Sequence, residues 1–119
     1  MDIKAQSLAG LVLHSEEPDR LARFYRESLG LPLAPAEHGT VGLHYEGMVG
    51  RTHLALWKRT APFGVLVPVF RVDDIDGVAA ELRGRGVPAM HKTLDIGDGK
   101  RVATFTDPDG NAFRVIQLA

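Results

Sequence analysis

The period of the hydrophobic and polar positions changes along the chain, and each change marks an expected element. The short apolar run Leu8–Leu13 predicts a largely buried strand. The next segment has apolar residues at helical spacing from Leu21 to Leu29, with Pro18 before them and Gly30 after them. Because proline suits the first turn of a helix and glycine suits a left-handed cap, a helix is predicted between these two residues.

The same order of elements then occurs a second time. After two strand-like pieces, GLHYE and THLALWK, the run Val65–Val72 predicts another strand. A second helical pattern follows, with Asp73 or Asp74 as the capping residue. Three further strands are predicted beyond it, separated by Gly-Asp-Gly and Asp-Pro-Asp-Gly turns. The chain therefore contains the order strand–helix–strand–strand–strand twice.

The two copies also align residue by residue. Leu21 corresponds to Val78 and Ala22 to Ala79, an offset of 57 positions. Such internal repetition constrains the architecture, because two small units that cannot bury their own sheets must pack together. The expected fold class is α+β, with two βαβββ repeats, at about 6–59 and 64–119, forming paired curled mixed sheets around a cleft. We expect a single domain over residues 1–119 and a ligand pocket within that cleft.

Charge and composition exclude several classes of partner. The formal net charge is −1, with 14 basic and 15 acidic side chains, so neither nucleic acid nor an anionic membrane is an expected partner. The sequence has no apolar run of transmembrane length, and its first ten residues lack the apolar region of a secretory signal. Cysteine is absent, which excludes disulfides, thiolate catalysis and cysteine-based zinc sites. These features predict a cytoplasmic protein.

Three segments carry a resemblance to a known family: Pro18–Leu31, Val72–Val87 and Phe105–Leu118. Together they resemble the vicinal oxygen chelate superfamily, which includes glyoxalase I, extradiol dioxygenases, fosfomycin-modifying enzymes and bleomycin-binding proteins. The resemblance covers nearly the whole chain, but one fold hosts many functions and the pattern does not single out a member. It implies a homodimer, since these paired units often place their cleft at a subunit interface.

The resemblance also implies where a metal would be held. Metal-dependent members place a ligand on the first and on the last strand of each unit, usually His and Glu, and the metal chelates two neighbouring substrate oxygens. Those positions correspond to Gly10, Ala55, Val67 and Arg114, none of which can hold a divalent cation. A protein without metal or other cofactor is therefore expected. A displaced metal site remains open, because His53 lies two residues before Ala55 on the same strand face.

Strand alternation identifies the side chains that share a face with those four positions. The predicted ligand-binding residues are Trp57, Arg71, Arg114, His14 and His53. His44 is also predicted to bind the ligand, since it and Tyr45 could reach the same opening. Ordinary structural roles remain as alternatives. His14 and Arg71 come at strand ends, where exposure is usual, while His53 suits a half-buried histidine and Trp57, the only tryptophan, suits the core. His38 and His91 are expected at the surface.

Arg114 is the hardest of these residues to explain structurally. It lies among apolar residues in the last predicted strand, and a buried arginine without a partner is very costly. We expect it either to pair with a carboxylate, such as Glu46 or Asp95, or to face an anion-receptive pocket. The DPDG segment before it lacks the spacing of a calcium loop and is expected to form a turn that sets the strand register.

Two main functions follow from these expectations. The first is a metal-free protein that binds a small anionic or aromatic molecule, an antibiotic or a metabolite, by stacking on Trp57 and ion pairing with Arg71 or Arg114. The second is an enzyme of the same fold, of the glyoxalase, lyase, isomerase or dioxygenase kind. It would use His14 or His53 as the catalytic base and Arg114 to hold a carboxylate or enolate, or else a displaced metal. A module for protein interaction is a third alternative.

Overall fold

The structure is a computed structural model that describes residues 1–38, 41–59 and 65–119, and of residues 38 and 41 the backbone alone. Its elements are β1 (Ser7–Ser15), α1 (Pro18–Leu29), β2 (Ala34–His38), β3 (Val41–Val49), β4 (Thr52–Lys58), β5 (Leu66–Arg71), α2 (Ile75–Gly84), β6 (Leu94–Gly97), β7 (Lys100–Thr106) and β8 (Ala112–Gln117). The predicted fold class, with strand–helix–strand–strand–strand repeated, is confirmed.

Helix α1 begins and ends where the sequence predicts, and helix α2 begins at one of the two predicted capping residues. Helix α1 starts at Pro18 and stops at Gly30, whose φ of 67° is the left-handed conformation that glycine adopts without strain. Helix α2 is capped by Asp74, whose side chain accepts a hydrogen bond from the backbone N–H of Gly77 at 3.0 Å. Among the described residues, no helix combines the length and apolar composition that a membrane span needs.

The eight strands form one sheet in the order β2-β3-β4-β1-β5-β8-β7-β6. Each unit contributes four neighbouring strands, and the first strands of the two units, β1 and β5, pair antiparallel at the centre. Leu11 lies opposite Pro68, and Val12 lies opposite Val67. Because Leu11 and Pro68 occupy equivalent positions of the repeat, an approximate two-fold axis passes between them. The offset of 57 positions in the sequence thus corresponds to an approximate two-fold symmetry of the sheet.

The helices cover one face of the sheet and leave the other face for a different cluster. On the helical face, α2 buries Ile75 and Val78 against Phe105 of β7, and α1 buries Ala22 against Leu56 of β4. The opposite, concave face carries a separate apolar cluster, built from Val12, Ala55, Val67, Val69 and Ala112 with Trp57, Met90 and Ile116 packed against it. The apolar residues predicted to share a face with the metal positions therefore do share it: Val12, Trp57, Val69, Ala112 and Ile116.

The repeat predicts a strand directly after the first helix, but the sequence pattern does not identify its residues; this strand is β2. The structure locates it at Ala34–His38, where Pro35 lies opposite Tyr45 of β3. Proline lacks the N–H that a central strand must donate, so it is tolerated where one side of the strand has no partner. Because β2 is an edge strand of the sheet, Pro35 does not interrupt the ladder.

The DPDG segment forms the expected turn between β7 and β8. The Asp107 carboxylate accepts hydrogen bonds from the backbone N–H of Asp109 at 3.0 Å and of Asn111 at 2.8 Å. Gly110 has a φ of 86° and takes the left-handed position. This turn sets the β7–β8 register, in which Thr104 lies opposite Arg114.

The turn generates a prediction about acid stability. Hydrogen bonding to the backbone N–H of Asn111 is the main cause that holds the pKa of Asp107 below its usual 3.8. A depressed folded-state pKa contributes stability above the unfolded value, and this contribution is lost as pH falls through the folded value. Carbon-13 NMR titration of the carboxyl groups should show Asp107 titrating below 3.8, and Asp107→Asn should weaken the loss of stability as the pH falls below 3.8. An unshifted Asp107 resonance would contradict this assignment.

The close contact between strand β3 and the segment that follows α1 generates a second prediction. A Cβ on Gly47 would overlap the backbone carbonyl of Pro32, which cannot move aside as a flexible side chain would. We expect Gly47→Ala to lower the free energy of unfolding by about 1–3 kcal/mol in urea denaturation, because overpacking displaces backbone. The control is Gly84→Ala at the end of α2, where a Cβ meets nothing within 4 Å. It should be neutral or stabilising, so equal losses in both variants would contradict the packing.

Candidate functional site

The concave face brings two polar groups to opposite ends of one row of residues. His53 of β4 lies opposite Gly10 of β1, Gly10 lies opposite Val69 of β5, and Val69 lies opposite Arg114 of β8. Three strand spacings separate the Cα atoms of His53 and Arg114 by about 14 Å in a flat sheet, and curling shortens the distance between their side chains. Gly10 has no side chain to fill the space between them, and a Cβ there would lie 2.6 Å from the carbonyl oxygen of His53. The row has the length of a small metabolite.

Arg114 is held at its end of the row by a fully buried hydroxyl. Its Nε donates to Thr104 Oγ1 at 3.0 Å, and Thr104 has no exposed surface. His91 Nε2 lies 2.8 Å from the same oxygen, and His91 Nδ1 lies 2.6 Å from the carbonyl oxygen of Lys92. Since a carbonyl only accepts, Nδ1 donates to Lys92, and a neutral His91 can then accept the Thr104 proton at Nε2. The network is satisfied while Arg114 keeps its charge.

Burial affects the guanidinium itself. Arg114 is partly buried, and desolvation lowers its pKa, although an arginine remains charged at any physiological pH. One described contact of this charge is with the neutral hydroxyl of Thr104. Of the two predicted carboxylate partners, Glu46 contacts two histidines, and Asp95 accepts from the backbone N–H of Gly97 at 3.0 Å.

The second polar group is a carboxylate between two histidines. Glu46 Oε2 lies 2.9 Å from His53 Nε2 and 3.3 Å from His44 Nε2. His44 is 1% exposed, and its ring stacks on Trp57 with centroids 4.3 Å apart and an interplanar angle of 7°. Glu46 lies opposite Ala55, one of the positions where the family resemblance implies a metal ligand. Acid–base groups are therefore concentrated on the β3–β4 part of the concave face.

Two of the other predicted pocket residues differ from expectation. His14 is buried at 9% exposure, not exposed, and lies opposite Trp57 in the neighbouring strand. Tyr45 does not face the opening with His44, because successive side chains of a strand point to opposite faces. It packs in the cluster under α1, with the Arg26 guanidinium 5.9 Å from its ring centroid. Arg71, opposite Ile116, is exposed as a residue at a strand end often is.

Histidine 91 was expected at the surface, and the structure contradicts this. It is half-buried and bonded to Thr104, so it belongs to the Arg114 end of the site. Thr104 was not predicted as a site residue either. The alternation of side chains in β7, together with the register set by the DPDG turn, would have placed it opposite Arg114. His91 carries no such signal, because it comes from the irregular segment after α2 and reaches β7 through Met90, whose N–H donates to the Thr104 carbonyl at 2.9 Å. The side chain of His38 lies outside the described residues.

Recesses occur on both faces of the sheet. A recess of about 350 Å³ on the concave face is lined by Met90, Thr106, Gly110 and Ala112. A larger one of about 750 Å³ lies on the helical face, where Leu66, Phe70 and Phe113 contribute apolar walls. Binding sites combine an apolar surface with a few convergent polar groups. Neither recess is lined by His53, Trp57 or Arg114. We place the candidate site on the concave face because it has that combination of surfaces.

The residues present do not fit the metal that the resemblance implies. At the four equivalent positions the chain has Gly10, Ala55, Val67 and Arg114, which offer no oxygen, nitrogen or sulfur donor suited to a cation. Over residues 1–38, 41–59 and 65–119, no group of three or more His, Asp or Glu side chains is arranged to hold a metal ion.

Fold and site together define a protein with paired βαβββ units whose shared sheet presents a concave, polar-ended face. The model of the Glyoxalase/Bleomycin resistance protein/Dioxygenase superfamily matches residues 8–115. The chain belongs to this superfamily, as its three characteristic segments predict. A search of curated protein sequences finds no match.

Solved structures of other proteins share the fold at low sequence identity. A Streptomyces coelicolor methylmalonyl-CoA epimerase variant, in complex with 2-nitronate-propionyl-CoA, has a TM-score of 0.72 at 19% identity, over 98% of this chain and 99% of the epimerase chain. A hypothetical protein from Bacillus halodurans C-125 has a TM-score of 0.75 at 14% identity, over 95% and 94% of the two chains. At these identities the likeness extends to the fold alone.

The Thr104 network generates a stability prediction. Thr104→Val keeps the shape of the side chain but removes the acceptor of Arg114 and the partner of His91, and leaving such groups unsatisfied costs about 1–3 kcal/mol. Urea denaturation should show that loss. The matched control is Thr106→Val in the same strand, since the Thr106 side chain makes no hydrogen bond with the described part of the chain. It should change the free energy of unfolding by less than about 0.5 kcal/mol, and a similar loss in both variants would refute the network.

Proposed function

We propose that this protein binds a small anionic molecule with a planar or apolar part on its concave face, without a metal. The observation that carries the proposal is Arg114: a partly buried cation, bonded to Thr104, at the position where metal-dependent members of the superfamily present their last ligand. In those members a cation attracts substrate oxygens. Here the guanidinium supplies the positive charge itself.

The chemistry of a guanidinium defines the expected ligand group. It carries five N–H donors in a planar fork, and Thr104 accepts from one of them, at Nε. Planar bidentate hydrogen bonding to a carboxylate or phosphate is the interaction for which arginine is best suited. The partly buried setting strengthens such an interaction, because the effective dielectric constant is lower than in water. A carboxylate or phosphate is therefore the expected anion.

The floor between the two polar ends defines the rest of the ligand. Val12, Val67 and Val69 are buried aliphatic side chains of this face, and Trp57 packs at their edge. Aliphatic and aromatic surface stabilises a ring or short alkyl chain by removing it from water. An aromatic acid, or an acyl chain with a terminal anion, satisfies both requirements, and so does an anionic antibiotic.

An enzyme is the second candidate, and the contacts of Glu46 favour it. A carboxylate held by two histidines can exchange a proton with a bound molecule, while Arg114 stabilises negative charge that develops on it. The reaction class would be proton transfer at a carbon next to a carbonyl group, with Glu46 rather than His14 as the group in contact with the substrate. Methylmalonyl-CoA epimerase, similar in fold, makes acyl thioesters a sensible class to include among the test ligands.

Two further expectations remain predictions. The family resemblance implies a homodimer, and the composition favours a cytoplasmic location. The proposed binding mode requires neither, since Arg114, His53 and Trp57 belong to one chain.

Fluorescence of Trp57, the only tryptophan, tests the binding proposal. At fixed pH, the full chain is titrated with benzoate, phenyl phosphate, a short-chain acyl thioester and a neutral benzamide. We expect an anionic compound to change the emission and to raise the melting temperature, and Arg114→Gln to weaken its binding by about 10- to 100-fold, as expected for a charged hydrogen bond. Arg101→Gln is the control. The Arg101 side chain lies away from the concave face and donates to Asp76 at 2.8 Å, so this variant should bind the anion as the parent protein does.

Three outcomes would overturn parts of this proposal. Equal binding of benzamide and benzoate would remove the role of the anion. Stoichiometric metal in elemental analysis, with loss of binding after chelation, would remove the metal-free assignment. Exchange of deuterium from solvent into an acyl thioester, dependent on Glu46, would favour the enzyme over the binding protein.

A further inference from the structure

We propose that Arg71 and Arg114 act together as a two-cation clamp, so that the ligand of the concave face carries two anionic groups rather than one. The inference rests on the proposed binding at Arg114 and deepens it, because it names the charge of the ligand and a second residue that selects it. The geometry that carries it is the pairing of β5 with β8, which places the two arginines on one face of neighbouring strands.

Backbone hydrogen bonds fix the direction in which the Arg71 side chain leaves the sheet. The N–H of Val72 donates to the carbonyl oxygen of Ile116 at 2.9 Å, and the N–H of Gln6 donates to the carbonyl oxygen of Arg71 at 2.9 Å. Strand geometry therefore continues through Arg71 on both sides, and successive side chains alternate between the faces. Phe70 and Val72 line the recess on the helical face, so Arg71 between them lies on the concave face.

Arg71 and Arg114 are diagonal neighbours on that face. In the parallel ladder Val69 lies opposite Arg114, and Arg71 lies opposite Ile116. Such a diagonal separates two residues by about 7–8 Å, a distance within the reach of long side chains. Val69 and Ile116 occupy the other two corners and belong to the apolar cluster of the concave face. The two cations thus flank an aliphatic patch, which is a suitable surface for the body of a small molecule.

The two positive charges differ in their surroundings but call for the same counter-charge. Arg114 is partly buried and donates to Thr104, whereas Arg71 is exposed and its side chain forms no ion pair or hydrogen bond within the described part of the chain. Both guanidinium groups remain charged at any physiological pH. Like charges at neighbouring positions of a sheet repel each other, and two bound anions relieve this repulsion more fully than one. A small dicarboxylate, or a molecule with one phosphate and one carboxylate, is the class of ligand that fits.

Isothermal titration calorimetry of the full chain with benzoate, isophthalate and terephthalate, at fixed pH and low salt, tests the two-cation clamp. We expect one of the dicarboxylates to bind about 3- to 10-fold more tightly than benzoate, since an exposed guanidinium contributes less than a buried one. Arg71→Gln should bring the affinities for benzoate and the dicarboxylate together, because the second carboxylate loses its partner. Arg71→Lys keeps the charge but not the planar fork, so it should retain part of the difference.

The matched control is Arg83→Gln, which removes an exposed arginine from α2 on the helical face and should leave the ratio of affinities as in the parent protein. Equal binding of benzoate and both dicarboxylates by the parent would overturn the two-cation clamp, and so would an equal fall of the ratio in Arg71→Gln and Arg83→Gln. Benzoate binding that depends on Arg114 would stand in either case. Absence of binding by all three anions would instead refute the proposed function, and this inference with it.

Discussion

The antiparallel pairing of β1 with β5 is the constraint on which the rest of the structure depends. These strands begin the two repeat units, and their pairing, with Leu11 opposite Pro68, joins two four-stranded sheets into one. Neither unit could bury both faces of its own sheet, whereas the joined sheet receives helices on one face and curls around an apolar cluster on the other. Every position on the concave face is related to this central pair by ladder register.

That register determines which residues can act together. Because side chains alternate between faces, a shift of one residue in β8 would turn Arg114 toward the helices and place Phe113 or Val115 on the concave face. The Asp107 turn prevents such a shift by holding Thr104 opposite Arg114. A hydrogen-bonded turn of four residues thus positions the cation of the proposed binding site. The stability of the turn and the position of Arg114 depend here on the same hydrogen bonds.

The two ends of the row from His53 to Arg114 differ in their charged groups. At one end the Arg114 guanidinium donates to the buried hydroxyl of Thr104, which His91 contacts in turn. At the other end Glu46 Oε2 lies within hydrogen-bond distance of a ring nitrogen of both His44 and His53. A guanidinium suits the attraction of an anion, while a carboxylate beside imidazole nitrogens suits acid–base chemistry. The aliphatic floor between them is the surface on which we propose that a small molecule binds.

The sequence by itself determined the elements, their repetition and the side chains of each face, since helical and strand periods, caps and turns are local properties. It therefore predicted both helices, the family, and the grouping of Val12, Ala55, Val67 and Ala112 on one face. Tertiary structure alone decided which strands are neighbours, and hence that Thr104 and His91 join Arg114 while Glu46 joins His44 and His53. His91 shows the reason most clearly: it belongs to no periodic element, so its contact with Thr104, 13 positions away, exists only once the sheet has formed.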